Sequence, residues 1–183
     1  EIKMTVIVQK PEFNLREKLS ELNYGQVPYE KMPVGSVIQV AFNTLYGSAI
    51  GTTSSAFQDS GLFVDISPRF LSSKIIVSAS VDAQTGNAAG KGVEYTFFRN
   101  IGADATATSP SVNLLQDSAQ GNYISYASPN GYIHERAAML SEDNPNTTER
   151  VQYRVFFHSH GGASSGFNKD WGGITIKAEE IRQ

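Results

Sequence analysis

The sequence contains no cysteine, so disulfide bridges and thiolate metal sites are both excluded. It has no apolar segment near the roughly 20 residues that a membrane-spanning helix requires. Its first residues also lack the basic start and the long apolar stretch of a signal peptide. We therefore expect a protein that is made in a cytoplasm and is not inserted into a membrane.

Charge is also scarce. Lys, Arg, Asp and Glu make up 18% of the residues, below the usual fraction of about a quarter in globular domains. The formal net charge is −3 and no basic run exists, which argues against a nucleic-acid partner because phosphate binding needs concentrated Lys and Arg. Ser, Thr, Asn and Gly replace the charged residues. This mixture suits uncharged sheets and contacts between subunits, where charge is costly to desolvate.

Residues 149–158, ERVQYRVFFH, are the clearest structural signal in the sequence. Apolar residues occupy every second position over eight residues, and the segment is rich in β-branched and aromatic types. Both features are typical of a half-buried β-strand. One face carries Val151, Tyr153, Val155 and Phe157. The other face carries Gln152, Arg154, Phe156 and His158. Turn-forming residues flank the segment on both sides, SEDNPNT before it and SHGGASSG after it.

The same pattern recurs along the rest of the chain. It predicts further strands over residues 36–42, 62–66, 74–82, 93–99, 134–140 and 173–181. The first of these places Ile38, Val40 and Phe42 on one face. The third points Ile75, Val77, Ala79 and Val81 inward. Residues 43–60 read as a long polar connection. About seven or eight strands with no helix between them predict a mainly β fold, an antiparallel β-sandwich or jelly roll.

The N-terminal residues predict a separate small unit. Residues 4–9, MTVIVQ, predict a strand or extended arm. A short helix is predicted over Asn14–Leu22, with Asn14 as its cap and Glu17 completing a capping box. Leu15, Leu19 and Leu22 form one apolar stripe on this helix. So short a helix is marginal in water, so its stripe must dock on another copy or on another protein. Residues 23–33 read as an extended linker. We expect residues 1–32 to form an anchor and residues 33–183 to form the β-sandwich.

Two predicted strands are apolar on both faces. Phe97 stands beside Phe98, and Val155, Phe156 and Phe157 are consecutive. One face of each strand can fill the core of the sandwich. The other face needs a second cover, and the simplest one is a neighbouring copy of the chain. We therefore expect a homo-oligomer.

Several short segments, in this order, resemble a family of virion structural proteins of tailed bacteriophages, common in marine and cyanobacterial phages. The segments in the sandwich are PVGSVIQ (33–39), ISPRFLSSKI (66–75), FFRN (97–100), QYRVFF (152–157) and ITIKAEEI (174–181). The N-terminal EFNLREKLSEL (12–22) resembles the short attachment segment that precedes the fibre bodies of phage proteins. Residues 100–132 depart from the family pattern as an insertion, which leaves the exposed tip of the fibre unassigned.

The resemblance implies a homotrimeric tail- or head-fibre component located in the virion. Its N-terminus would dock on other virion proteins, and a β-rich head would be displayed, with possible contact to a host-surface polysaccharide. A capsid-decoration protein that stiffens the shell is one alternative. A carbohydrate-active enzyme on a β-sandwich is another, because paired carboxylates are brought together by folding and cannot be read from sequence.

His158 and His160 are the sharpest chemical candidates. If the strand continues through them, both imidazoles share a face at a spacing that can chelate a metal. Three chains around a threefold axis would supply six imidazoles, an octahedral nitrogen site suited to iron, nickel or a similar ion. The alternative is a pair of surface histidines where a strand enters a glycine-rich loop. Apart from this site, we expect no cofactor.

Four aromatic residues lie in or beside polar, glycine-rich segments. They are Tyr123, Tyr126, Tyr132 and Trp171. Aromatic rings in such loops either stack on the sugar rings of a host glycan or pack the loops themselves. They are the candidate binding residues.

Overall fold

The computed structural model describes residues 28–85, 92–108, 110–115, 122–124, 133–162, 164–167 and 173–183. The chain divides into two compact units, Glu1–Pro33 and Val34–Gln183. In the described part of the first unit, Tyr29–Lys31 forms a turn of 3-10 helix where the sequence predicts an extended linker. The predicted arm over residues 4–9 lies outside the described residues. So does the predicted helix with its stripe Leu15, Leu19 and Leu22.

The described part of the second unit contains eleven strands. In chain order they are β1 Val37–Leu45, β2 Ile50–Thr52, β3 Gln58–Ile66, β4 Lys74–Thr85, β5 Gly92–Ile101, β6 Val112–Asn113, β7 Asn122–Ile124, β8 Ile133–Asp143, β9 Val151–His160, β10 Ser165–Phe167 and β11 Ile174–Ile181.

The strands form two antiparallel sheets. In sheet A, β4 pairs with β8 along one edge and with β11 and then β10 along the other, while β1 pairs with β11 and β2 with β10. In sheet B the order is β3-β9-β5, and both β6 and β7 pair with β5. The chain crosses between the sheets from β3 to β4 to β5, and again from β8 to β9 to β10. This alternation is the winding of a jelly roll, so the predicted mainly β sandwich is confirmed.

One continuous apolar core fills the space between the sheets. The predicted inward face of β9 is confirmed: Val151, Tyr153, Val155 and Phe157 are buried in this core. The predicted inward face of β4 is confirmed as well, with Ile75, Val77, Ala79 and Val81 all buried. Period-two alternation succeeds in these strands because each has one face on the core.

Strand β1 differs from the expected arrangement. Ile38 is buried, whereas Val40 and Phe42 are exposed on the outer face of sheet A. The pairing of β1 with β11 shifts register between Val37 and Gln39, and such an irregularity separates residues that strict alternation would place together. The apolar residues of β1 therefore do not share one face.

The predicted polar connection over residues 43–60 is too long. It includes the end of β1, all of β2 and the start of β3. The sequence also misses β10, which pairs with β2 through Gly166 and Gly51. A Cβ atom placed on Gly166 would lie 2.7 Å from the Cα of Gly51. Gly166 marks a close approach of two backbones, although the glycine- and serine-rich sequence before it resembles a loop.

Candidate functional site

The strand ends that flank four connections lie together at one end of the sandwich, which we call the loop end. The connections are residues 46–57, 86–91, 125–132 and 161–173. Strands β4 and β8 meet here at Thr85 and Ile133, and β5 and β9 meet at Gly92 and His160. The hydroxyl of Ser165 donates to the carbonyl of Gly92 at 3.0 Å, which ties sheet A to sheet B. Connections on a rigid scaffold commonly carry binding residues.

The candidate sugar-binding aromatics belong to these connections or border them. The backbone of Tyr123 in β7 pairs with that of Glu94 in β5. Tyr126, Tyr132 and Trp171 lie outside the described residues. The topology places both ends of each of their connections at the loop end. Their role in binding stays a prediction.

A buried carboxylate joins the two histidines of the predicted motif. Glu94 lies opposite His158 in the β5–β9 ladder and is only 3% exposed. Its Oε2 lies 3.0 Å from Nε2 of His158, and its Oε1 lies 2.9 Å from Nδ1 of His160. Strand β9 continues through both histidines, and both imidazoles reach one carboxylate, so they share a face as predicted.

The two imidazoles differ in accessibility. The side chain of His158 is buried. Its ring meets the Phe57 ring edge to face, with the two centroids 4.6 Å apart. Its contact with Glu94 lacks the alignment of a hydrogen bond, whereas His160 contacts the same carboxylate with hydrogen-bond geometry. The side chain of His160 is 47% exposed. Of the pair, His160 is therefore the one that solvent reaches.

The predicted metal role of the two histidines meets a geometric obstacle. Among the residues that the structure describes, no group of three or more His, Asp or Glu side chains could hold a metal ion. His158 is buried between Glu94 and Phe57. A six-imidazole site shared by three copies would require His158 to leave its carboxylate. The metal site stays a prediction.

The outer face of sheet B is covered by the chain itself. Phe98 and Phe156 are 6% and 5% exposed and form a second apolar cluster with Ala105 and Phe57. The rings of Phe98 and Phe156 meet edge to face, with centroids 5.1 Å apart. The expectation that these residues need a neighbouring copy is therefore wrong, because residues from two connections of the same chain cover them.

A polar clamp fixes one of the covering segments. The Nη2 atom of Arg150 lies 2.9 Å from Oδ1 of Asp65 and 2.7 Å from Oδ1 of Asp104. The buried amide of Gln152 donates to both carboxylates at 3.1 and 3.2 Å, and its oxygen accepts from the backbone of Ala105. The hydrogen bond from Arg150, with its positive charge, lowers the pKa of Asp104. The clamp thus holds residues 104–105 against the start of β9.

Replacing Asp104 by asparagine is expected to destabilise the protein at about pH 7 and to have no effect in strong acid. Because the pKa of Asp104 is lower in the folded chain than its ordinary value near 3.8, its contribution to stability is present above that value and is lost as the pH falls through the lower one. Urea unfolding of both chains across this range measures the difference. It should shrink at high salt, since Asp104 is exposed. A difference that does not shrink as the pH falls below the ordinary value would contradict the clamp.

Sequence reasoning missed Glu94 as the partner of the histidines. Its signal was a single acidic residue inside the apolar run VEYTFF, because a charge in a buried strand requires a partner. The partner is set by the register between β5 and β9, two strands far apart in the chain. The sequence alone does not supply this register.

Comparison with known protein families and with curated proteins found no match to this chain. In the described part of the chain, no helix is long and apolar enough to cross a membrane.

Proposed function

We propose that this chain is a non-enzymatic structural protein of a bacteriophage virion, a homotrimeric tail- or head-fibre component. Its first 32 residues fix it to other virion proteins, and its β-sandwich is displayed for contact with the host surface. Two observations support the proposal. The sequence segments resemble those of phage virion proteins, and the jelly roll is an architecture that recurs in viral capsid and lectin domains.

The observation that carries the proposal is the position of the two ends of the sandwich. Strand β1 runs from Val37 to Leu45, and its end at Leu45 leads into the connections of the loop end. Val37 therefore lies about 26 Å from the loop end at the usual rise per residue. Whatever precedes the sandwich in the chain joins it at one end, and the loop end is presented at the other. This polarity is what an anchored display protein requires.

The mechanism that follows is mechanical and multivalent. The sandwich is a rigid spacer, because its two sheets share one core and are tied together at the loop end. Loop-end residues, the four aromatic candidates among them, make weak contacts with a host polysaccharide. Each bound copy raises the effective concentration of its neighbours at the surface, so weak contacts add up to firm attachment.

Two sets of substitutions in the full-length chain test this polarity. Serine at Leu15, Leu19 and Leu22 is expected to release the protein from purified particles while the purified chain still binds host cells. Alanine at Tyr132 and Trp171 is expected to give the reverse, with normal incorporation and at least about a tenfold loss of cell binding, since stacked aromatic rings dominate such contacts. Immunolabelling of particles and a cell-binding assay measure the two effects.

Each set has a matched control. Serine at Arg16, Lys18 and Glu21, which belong neither to the leucine stripe nor to the capping box, should leave incorporation unchanged. Alanine at Leu71, which is exposed in the connection between β3 and β4, should leave cell binding unchanged. The proposal fails if the leucine set remains in the particle at the level of the unaltered chain.

A further inference from the structure

Tyr46 is an exposed aromatic residue at the loop end, outside the four candidates from the sequence. It follows the last residue of β1 and is 72% exposed. A Cβ atom placed on Gly173, just before β11, would lie 2.7 Å from Cε1 and 2.9 Å from Cδ1 of Tyr46. One edge of the ring therefore rests over the backbone of Gly173, in space that any side chain would fill. This contact holds the ring in place while most of its surface faces solvent.

Strand pairing places Tyr46 in one row with two charged residues. The registers of β1, β11, β4 and β8 near the loop end, continued by one residue beyond β1, align four positions across the outer face of sheet A. They are Tyr46, Gly173, Asp82 and Arg136. The side chain of Asp82 belongs to this face, because its neighbours Val81 and Ala83 are buried in the core.

The guanidinium of Arg136 is fixed beside the Tyr46 ring. Its Nη2 atom donates to the carbonyl oxygen of Gly173 at 2.9 Å, and its Nε atom donates to the hydroxyl of Ser80 at 2.8 Å. Two hydrogen bonds thus set the plane of an exposed guanidinium. Because Tyr46 and Arg136 both contact Gly173, an aromatic ring and a hydrogen-bond donor lie side by side in a preset arrangement, which lowers the entropy lost when a ligand binds.

This combination of groups matches the chemistry of a sugar ring. A pyranose has an apolar face of C–H groups, which packs on an aromatic ring, and a rim of hydroxyls, which need both donors and acceptors. Arg136 supplies donors and the carboxylate of Asp82 supplies acceptors. Their opposite charges cancel, which favours a neutral sugar over a charged one. A protein surface that covered the ring would have to desolvate both charges, which is costly.

We propose that Tyr46 is the centre of a sugar-binding subsite at the loop end. A neutral pyranose unit of the host polysaccharide stacks on its ring, and hydroxyls of that unit bind Arg136 and Asp82. The inference rests on the proposed function, which presents the loop end to the host surface, and adds to it a stacking residue and a class of sugar. Gly173 is a positioning residue, because the absence of its side chain leaves room for the ring.

Binding of the full-length chain to host cells tests the subsite. Tyr46→Ala is expected to weaken binding at least about tenfold, because the stacking contact is lost, whereas Tyr46→Phe keeps the ring and should bind within about twofold of the unaltered chain. Gly173→Ala is also expected to weaken binding, because the added methyl group displaces a ring that is itself unchanged.

Two treatments identify the occupant. Mild periodate, which cleaves the vicinal diols of sugar rings, should abolish binding of the unaltered chain when applied to the cells beforehand. Raising the salt concentration should leave binding nearly unchanged, because the contact with a neutral sugar is not screened. A steep loss of binding with salt would overturn the assignment to a neutral sugar.

Phe42→Ala is the control, because Phe42 is an equally exposed aromatic residue on the same face of β1 and should leave cell binding unchanged. Circular dichroism should show that every variant keeps its fold, since Tyr46 is exposed and its ring can swing outward. Unchanged binding by Tyr46→Ala, or an equal loss in Phe42→Ala, overturns the subsite and leaves the proposed function to the test at Tyr132 and Trp171. Undiminished binding to periodate-treated cells overturns a sugar as the occupant. An unaltered chain that does not bind host cells overturns the proposed display function itself.

Discussion

Replacement of Phe156 by alanine is expected to lower the free energy of unfolding by about 3–5 kcal/mol, the usual cost of removing a buried aromatic ring. The ring is 5% exposed and packs against Phe98, which in turn contacts Phe57 at 5.4 Å between centroids. All of these contacts lie within one chain. The loss is therefore expected to be the same at low and high protein concentration, as measured by urea unfolding.

Phe42→Ala is the matched comparison. This ring is exposed on the outer face of sheet A, so its removal should have little effect on the free energy of unfolding of the chain. If instead the effect of Phe156→Ala grew with concentration, a neighbouring copy would cover that ring. The covering role assigned to residues 57 and 105 would then be wrong.

Gly166→Ala is expected to detach β10 from β2 and to lower stability by about 3 kcal/mol or more, at or above the upper range for overpacking. The added Cβ would overlap the backbone carbonyl of Ile50 and lie 2.7 Å from the Cα of Gly51. These are backbone atoms of a paired strand and cannot move without separating the ladder. Hydrogen exchange at the β2 and β10 amides should report the loss of pairing.

Gly51→Ala is the control, because Gly51 is the direct cross-strand partner of Gly166. A Cβ on Gly51 would make only an ordinary contact, 3.4 Å from the carbonyl oxygen of Ser165. The same substitution on the two sides of one pair should therefore give a large effect and a small one. Equal effects would show that the approach of the two backbones is not as close as described.

The sequence predicted the strands whose two faces meet different surroundings. In β4 and β9 the core imposes a period of two on one face, and a pattern of this kind survives in the residue types. The prediction from sequence was wrong at β1, where a register shift separates Ile38 from Val40. It missed β10, where the close approach of the neighbouring backbone requires a glycine at position 166. It also failed at Phe156, because nothing local shows that a distant loop returns to cover it.

The sequence predicted the two histidines of the candidate site but not the carboxylate that joins them. The spacing of His158 and His160 was enough to place both on one face, since that follows from strand geometry alone. Their carboxylate comes from a strand more than sixty positions away, as the separation of 66 between Glu94 and His160 shows. Long-range partners of this kind depend on sheet order, which local patterns do not encode.

The first and last residues of the sandwich are hydrogen-bonded neighbours. The backbone amide of Gly35 donates to the carbonyl of Arg182 at 2.8 Å, and the backbone amide of Arg182 donates to the carbonyl of Ser36 at 3.0 Å. A polypeptide fused behind Gln183 would therefore emerge beside the first residues of the sandwich. A polypeptide inserted at Gly162, an exposed position just after β9 where a side chain would meet open space, would emerge at the loop end instead. The two fusion points would therefore extend from opposite ends of the sandwich.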